Sequence, residues 1–190
     1  MRGCGKMAAM IALVPPCHDL LAGYADALVQ GWSPDNTRDV SAEQLAALRA
    51  DPDGFLASQL VQGGTITLWD GSVVARLPGF RHWISDGEFC GSIGFRYQPG
   101  SDELPGHVLG HIGYAVVPWK RRRGYAAAAL RLMLGEARGL GLSRVMVNCS
   151  DTNIASRRII AGAGGILARQ FAHPAFPGEE ELVFWVPTSG

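Results

Sequence analysis

The stretch from His107 to Ala126 constrains this chain more than any other. A run of β-branched and aromatic residues from His107 to Val117 stops at Pro118, and a turn carrying Lys120, Arg121, Arg122 and Arg123 follows. Gly124 comes next, and a helical pattern opens at once with Tyr125 and Ala126. The start of a helix exposes unpaired backbone N–H groups and a partial positive charge. Gly124, without a Cβ, lets the backbone approach a ligand closely, and Ala126 keeps the first turn uncrowded. With four cations beside it, this strand–turn–helix step predicts a pocket for a phosphate or pyrophosphate. Other phosphate loops fit worse. No Gly-Lys-Ser/Thr occurs, and Gly139, Gly141, Gly162, Gly164 and Gly165 follow helical patterns rather than strands, which excludes a dinucleotide fingerprint.

The remaining periodicities frame this step. Met10–Val14 reads as a first strand and His18–Gln30 as a helix with Leu21, Ala25 and Leu28 on one face. Ser41 reads as the N-cap of a helix to Ala50, Asp51–Gly54 as a breaker, and Phe55–Val61 as a further helical turn or two. Five short strands are predicted at Thr65–Trp69, Val73–Leu77, His82–Ser85, Phe89–Tyr97 and His107–Val117, punctuated by Asp-Gly and Pro-Gly turns in the manner of an antiparallel meander. A helix over Tyr125–Arg138, a strand over Arg144–Cys149 and a helix over Asn153–Ala163 follow. Strands at Ile166–Phe171 and Leu182–Val186, joined by a loop with Pro174, Pro177 and Gly178, close the chain. This order predicts an α/β (α+β) fold, a single mixed, mostly antiparallel sheet with helices on both faces, in one domain over residues 1–190.

Composition narrows the function. The 190 residues are 47% hydrophobic and 18% charged, which suits a globular protein. Seventeen basic and seventeen acidic side chains cancel, so no overall attraction to nucleic acid or an anionic membrane is predicted, and anion binding has to come from a local cluster. Cys4, Cys17, Cys90 and Cys149 are scattered, with no metal-ligand spacing, which points to reduced thiols, a cytoplasmic location and no metal. Met7–Val14 is short for a signal peptide and is followed by Pro15 and Pro16. Residues 1–9 are expected to be a disordered tail, with Met7 or Met10 as alternative starts.

At this point the chain resembles the GNAT family of N-acetyltransferases. Residues Arg121, Arg122, Arg123, Gly124, Tyr125 and Ala126 match the family's Arg/Gln-x-x-Gly-x-Gly/Ala loop, and the strand ending at Cys149 followed by Asn153 and Ser156 matches what lies downstream. The segments His111–Tyr114 and Asn153–Arg158 are most similar to a bacterial subgroup of predicted acetyltransferases. The resemblance is strongest over residues 110–166, an implied acetyl-CoA-binding core. It implies that acetyl-CoA is the acyl donor, and that the amides of Arg121–Ala126 hold its pyrophosphate. Backbone groups of Ala115, Val116 and Val117 are implied to hold the pantetheine arm, with Asn153 on that arm and Ser156 near the thiol. It implies direct attack by the primary amine of a small molecule, peptide or protein, and, by analogy with members, a homodimer. The general base implied at the matching position is His111, with Glu88, His107 and Tyr114 as further candidates. Where the family often carries a thiolate-protonating Tyr, this chain has Ile160, so a non-catalytic acyl-CoA sensor or interaction module is the alternative. A nucleic-acid binder using the arginine cluster is a third reading, which the neutral net charge opposes.

Overall fold

The computed structural model describes residues 10–36, 38–60, 63–67, 71–172 and 178–189. The expected tail over residues 1–9, Trp69 and the segment holding Pro174 and Pro177 lie outside the described residues. Strand β1 (Ala12–Val14) leads into α1 (His18–Val29), α2 (Ser41–Ala50) and α3 (Pro52–Leu60). Next come β2 (Thr65–Thr67), β3 (Val73–Ala75), β4 (Gly79–Ser85), β5 (Phe89–Arg96) and β6 (Ile112–Val116). The chain then runs through α4 (Tyr125–Gly139), β7 (Arg144–Ser150), α5 (Ile154–Gly162), β8 (Ile166–Ala172) and β9 (Glu180–Pro187). Among the described residues, no helix is long and apolar enough to cross a membrane.

Seven strands form one sheet in the order β1-β4-β5-β6-β7-β9-β8. Every neighbouring pair is antiparallel except β6 and β7. The hairpin of β2 and β3 stands apart from this sheet, because those two strands pair only with each other. A meander of five consecutive strands was the expectation, and three of them join the main sheet.

Each face of the sheet carries its own core. On one face α1 buries Leu20, Tyr24, Ala27 and Leu28, a helical stripe that meets Trp32, Phe55, Trp83 and Phe89. Tyr24 stacks on Trp83 with ring centroids 4.8 Å apart, and its hydroxyl donates to the Gln44 side chain. On the other face α4 buries Ala129, Leu130, Met133, Leu134 and Ala137 against Ile84, Ile93, Ile112, Val145 and Val147. Burial of Leu130 and Met133 contributes roughly 1.5–3 kcal/mol each. Helix α5 adds Ile160 to the same cluster.

Two local signals work differently from their sequence reading. Ser41 is the first residue of α2 rather than its cap, and Asp39 Oδ1 accepts the Ser41 N–H at 2.8 Å. Asp51 ends α2, but Pro52 restarts a helix at once, and Asp51 Oδ1 accepts the Gly54 N–H at 2.9 Å. Proline suits a first helical turn because its missing N–H has no partner there.

Candidate active site

The predicted strand His107–Val117 shortens to Ile112–Val116, and the reason lies at His111. Its backbone N–H donates to Met146 O at 2.8 Å, while its imidazole Nδ1 accepts the Met146 N–H at 2.9 Å. The ring takes the place of a strand carbonyl. One step later Ile112 sits opposite Val147, which is the sole register pair between β6 and β7 among the described residues. Beyond it the two strands part. A Cβ at Gly110 would meet the Asn148 side-chain oxygen, so a larger residue here would have to displace that amide.

Hydrogen-bond parity decides which groups face the gap. The Arg96 N–H donates to His111 O at 2.9 Å, and the Val117 N–H donates to Cys90 O at 3.0 Å. The same register sets Ser92 opposite Ala115 and Gly94 opposite Gly113. Alternation along an antiparallel ladder therefore turns Gly113 and Ala115 toward β5, and Ile112, Tyr114 and Val116 away from it. Of the three residues expected to contact pantetheine, Ala115 directs its backbone groups at β5, Val117 donates its N–H to Cys90 O but accepts the Lys120 N–H, and Val116 faces the gap. The Val116 carbonyl already accepts from Arg121 Nε at 3.0 Å, and the Tyr114 carbonyl accepts from Asn36 Nδ2 at 3.3 Å.

The basic turn stands at the open end of β6. Pro118–Lys120 make one 3-10 turn, Arg122 has φ 61° and Gly124 has φ 84°, and α4 begins at Tyr125. The Ala128 N–H reaches Gly124 O at 3.0 Å, so the amides ahead of it point off the helix end with no side-chain cap. Arg121, Arg122, Arg123 and Gly124 are exposed. Lys120, read from the sequence as part of the anion cluster, is instead buried and ion-paired to Asp86 at 2.9 Å and Glu88 at 2.8 Å. Tyr125 turns its hydroxyl to Asp86, leaving only its amide for a ligand. Burial would raise the Asp86 pKa, but hydrogen bonds from Lys120 and Tyr125 outweigh it and hold the carboxyl below its ordinary range.

A cavity of about 850 Å³ occupies the gap and continues across the sheet face that α1 covers in part. Tyr114, Asn148, Cys149, Asn153 and Ser156 line it where β6 and β7 separate. Asn153 caps α5, its Oδ1 accepting the Ser156 N–H at 3.0 Å, so one residue both caps the helix and lines the cavity. The Tyr114 hydroxyl is buried without a formed hydrogen bond. Desolvation raises its pKa, and the Ser156 side chain close by acts in the opposite direction. Burial pushes the Cys149 thiol up to about 11, which keeps it protonated and a poor nucleophile. Ile160 is fully buried in the core beside α4.

Of the four candidate bases, His107 and Tyr114 line this cavity, and His111 and Glu88 do not. His111 has no exposed surface, its Nδ1 is occupied, its Nε2 is buried without a partner, and burial pushes its pKa down to about 4. Glu88 pairs with Lys120 away from the cavity. The carboxylates that do line it include Asp35, Glu179 and Glu181. Glu181 is buried on β9 and accepts from the Asn148 side chain. Arg81 and Arg96 line the cavity as well. The arginine pair did not stand out in the sequence, because strand pairing, not spacing along the chain, brings the two side chains to one cavity. Among the described residues, no group of three His, Cys, Asp or Glu side chains is arranged to hold a metal ion.

The comparisons with known proteins bear on the fold. No curated protein matches the sequence. Mycobacterium smegmatis RimJ in complex with CoA-disulfide superposes with a TM-score of 0.60 at 18% identity, covering 95% of this chain and 83% of that one. The microcin C7 self-immunity acetyltransferase MccE, in complex with acetyl-CoA and AMP, gives 0.60 at 11% identity over 93% and 92%. Salmonella typhimurium yncA with acetyl-CoA gives 0.56 at 17% identity over 96% and 95%. At these identities the likeness is one of fold. The acetyltransferase (GNAT) domain family matches residues 18–166, a span that runs from α1 through the basic turn to the start of β8, and the chain belongs to that family.

Proposed function

We propose that this protein transfers the acetyl group of acetyl-CoA to a primary amine bound in the cavity, by direct attack in a ternary complex. The observation that carries the reading is the single-step β6–β7 junction opening beside an uncapped helix start at Gly124. The amides at the start of α4 and the exposed Arg121–Arg123 suit the pyrophosphate. The gap-facing backbone of Tyr114 and Val116 suits the pantetheine arm, with Asn153 and Ser156 on its other side.

In this reading the neutral amine nitrogen attacks the thioester carbonyl carbon. The C–N bond forms, the C–S bond breaks, the nitrogen loses a proton and the thiolate gains one. A backbone N–H aimed at the carbonyl oxygen stabilises the developing charge. Glu181 is the carboxylate suited to take the amine proton, directly or through water. Tyr114, kept protonated by burial and close to Ser156, suits the delivery of a proton to the thiolate, the role for which Ile160 has no group. Holding both substrates in one cavity supplies much of the acceleration.

Thermal stability with excess acetyl-CoA, against NADH and ATP controls, tests the donor site. At about a hundredfold above the dissociation constant the gain approaches roughly 2.7 kcal/mol, a shift of several degrees. No shift would remove the donor site and the activity with it. Thiol release with a panel of amines tests turnover. A specific shift without release from any acceptor would favour the sensor reading, for which Ile160 is the motive.

A further inference from the structure

We propose that the acceptor carries an oxyanion, a carboxylate or a phosphate, together with its amine, and that Arg81 and Arg96 hold that group. The inference rests on the acetyl-transfer reading and specifies its substrate class.

The pair arises from strand register. Arg81 on β4 sits opposite Gly94 on β5, and Arg96 on β5 sits opposite Gly79 on β4. The two arginines are thus diagonal neighbours on one sheet face, each facing a glycine, and a diagonal of this kind sets side chains about 7–8 Å apart at their base. The floor between them and β6 is made of small residues, Ser92, Gly94 and Gly113, all lining the cavity. The positive groups therefore overlook open space rather than packed side chains.

Their partners are too few for their charge. Arg81 donates to the neutral Gln59 Oε1 at 3.2 Å, and neither arginine has a carboxylate at ion-pair distance among the described residues. Arg96 is exposed where it lines the cavity. Desolvation first, and then the nearby Arg81, lower its pKa, and Asp35 offsets this only in part. Two guanidiniums on adjacent strands lining one cavity repel one another, and each presents a planar fork of donors that matches an oxyanion. An anionic group between them would relieve the repulsion and fill the donors. Glu181 and Asn148 line the same cavity and suit the amine end. A cavity with a cationic pair and a carboxylate fits a molecule bearing both charges and disfavours a plain alkylamine or a polyamine.

The test compares acceptors that differ only in the oxyanion. These are amino acids against their decarboxylated amines, and phosphoethanolamine against ethanolamine, all by thiol release. The expected result is at least a tenfold higher kcat/KM for one anionic series, and the pair that shows it separates carboxylate from phosphate. Arg96→Gln and Arg81→Gln should remove most of that preference through KM, with Arg96→Lys restoring part of it, while the acetyl-CoA thermal shift stays as in the unaltered protein. Equal rates for the paired amines, or a preference that survives both substitutions, would overturn the inference. If acetyl-CoA binds but no panel amine reacts, inorganic phosphate and acetate become the probes. At equal ionic strength one of them should raise Tm above the chloride control in the unaltered protein and not in Arg81→Gln/Arg96→Gln, and no such difference would also overturn it. Loss of the acetyl-CoA shift in the unaltered protein would instead sink the acetyl-transfer reading beneath it.

Discussion

His111 and Lys120 illustrate how a residue that looks catalytic or ligand-binding becomes structural. The imidazole of His111 serves as a neutral acceptor for a backbone N–H, and its pKa of about 4 is set chiefly by burial, with Arg96 lowering it further and Asp102 opposing. An unfolded histidine binds its proton near pH 6.5 and the folded one resists until about 4, so protons favour the unfolded chain between those values. Stability should fall by up to about 3 kcal/mol as pH drops through that window. His111→Gln, which keeps an acceptor for Met146, should flatten that slope, as urea midpoints at pH 7 and pH 5 would show. The Asp86 pKa is depressed, so its contribution is complete above the ordinary carboxylate range and fades as pH falls below it. Asp86→Asn leaves the nearly buried Lys120 ammonium under-paired and should cost about 3–5 kcal/mol near neutral pH. The deficit relative to the unaltered protein should shrink below about pH 4, where Asp86 of the unfolded chain begins to take up its proton while the folded carboxylate still resists it. Denaturant melts of both proteins across that range would check it.

At the level of the element, the start of α4 governs binding and the gap-facing side of β6 governs chemistry. Gly124 has φ 84°, a conformation that β-branched residues rarely adopt. Gly124→Val should therefore abolish the acetyl-CoA thermal shift, while Tm without ligand falls by only a few degrees. Tyr114→Phe should keep that shift and lower kcat by about 10²-fold, the usual scale for one proton-transferring group. The basic turn and the helix after it were legible in the sequence, because each is a local pattern. Helical spacing marked α1, but the expected face of Leu21, Ala25 and Leu28 is rotated, since Leu20, Tyr24, Ala27 and Leu28 are the buried residues and Leu21 and Ala25 are only partly covered. The separation of β2 and β3 from the sheet was not legible, since a run of alternating residues does not specify its neighbour. Nor was the turning of Ala115 and the Val117 N–H toward β5, which depends on ladder parity. Arg81 and Arg96 escaped notice for the same reason: they lie on two strands, β4 and β5, whose pairing is a property of the fold.

Considered whole, the protein is a sheet in two parts. Strands β1, β4, β5 and β6 pair continuously, β7, β9 and β8 do likewise, and one register step plus one imidazole join them. The gap-facing amides of Tyr114 and Val116 have no strand across from them. Acetyl-CoA should slow their hydrogen exchange far more than that of Gly113 and Ala115, whose ladder bonds are already made, and exchange rates with and without ligand would check this.

The division of the sheet in space is also a division along the chain. All of the first part lies within residues 12–116 and all of the second within residues 144–187. During synthesis the earlier part can therefore complete its antiparallel pairings before Arg144 emerges from the ribosome. The later part then docks onto a finished edge through α4 and a single histidine, without a strand having to insert between two that are already paired.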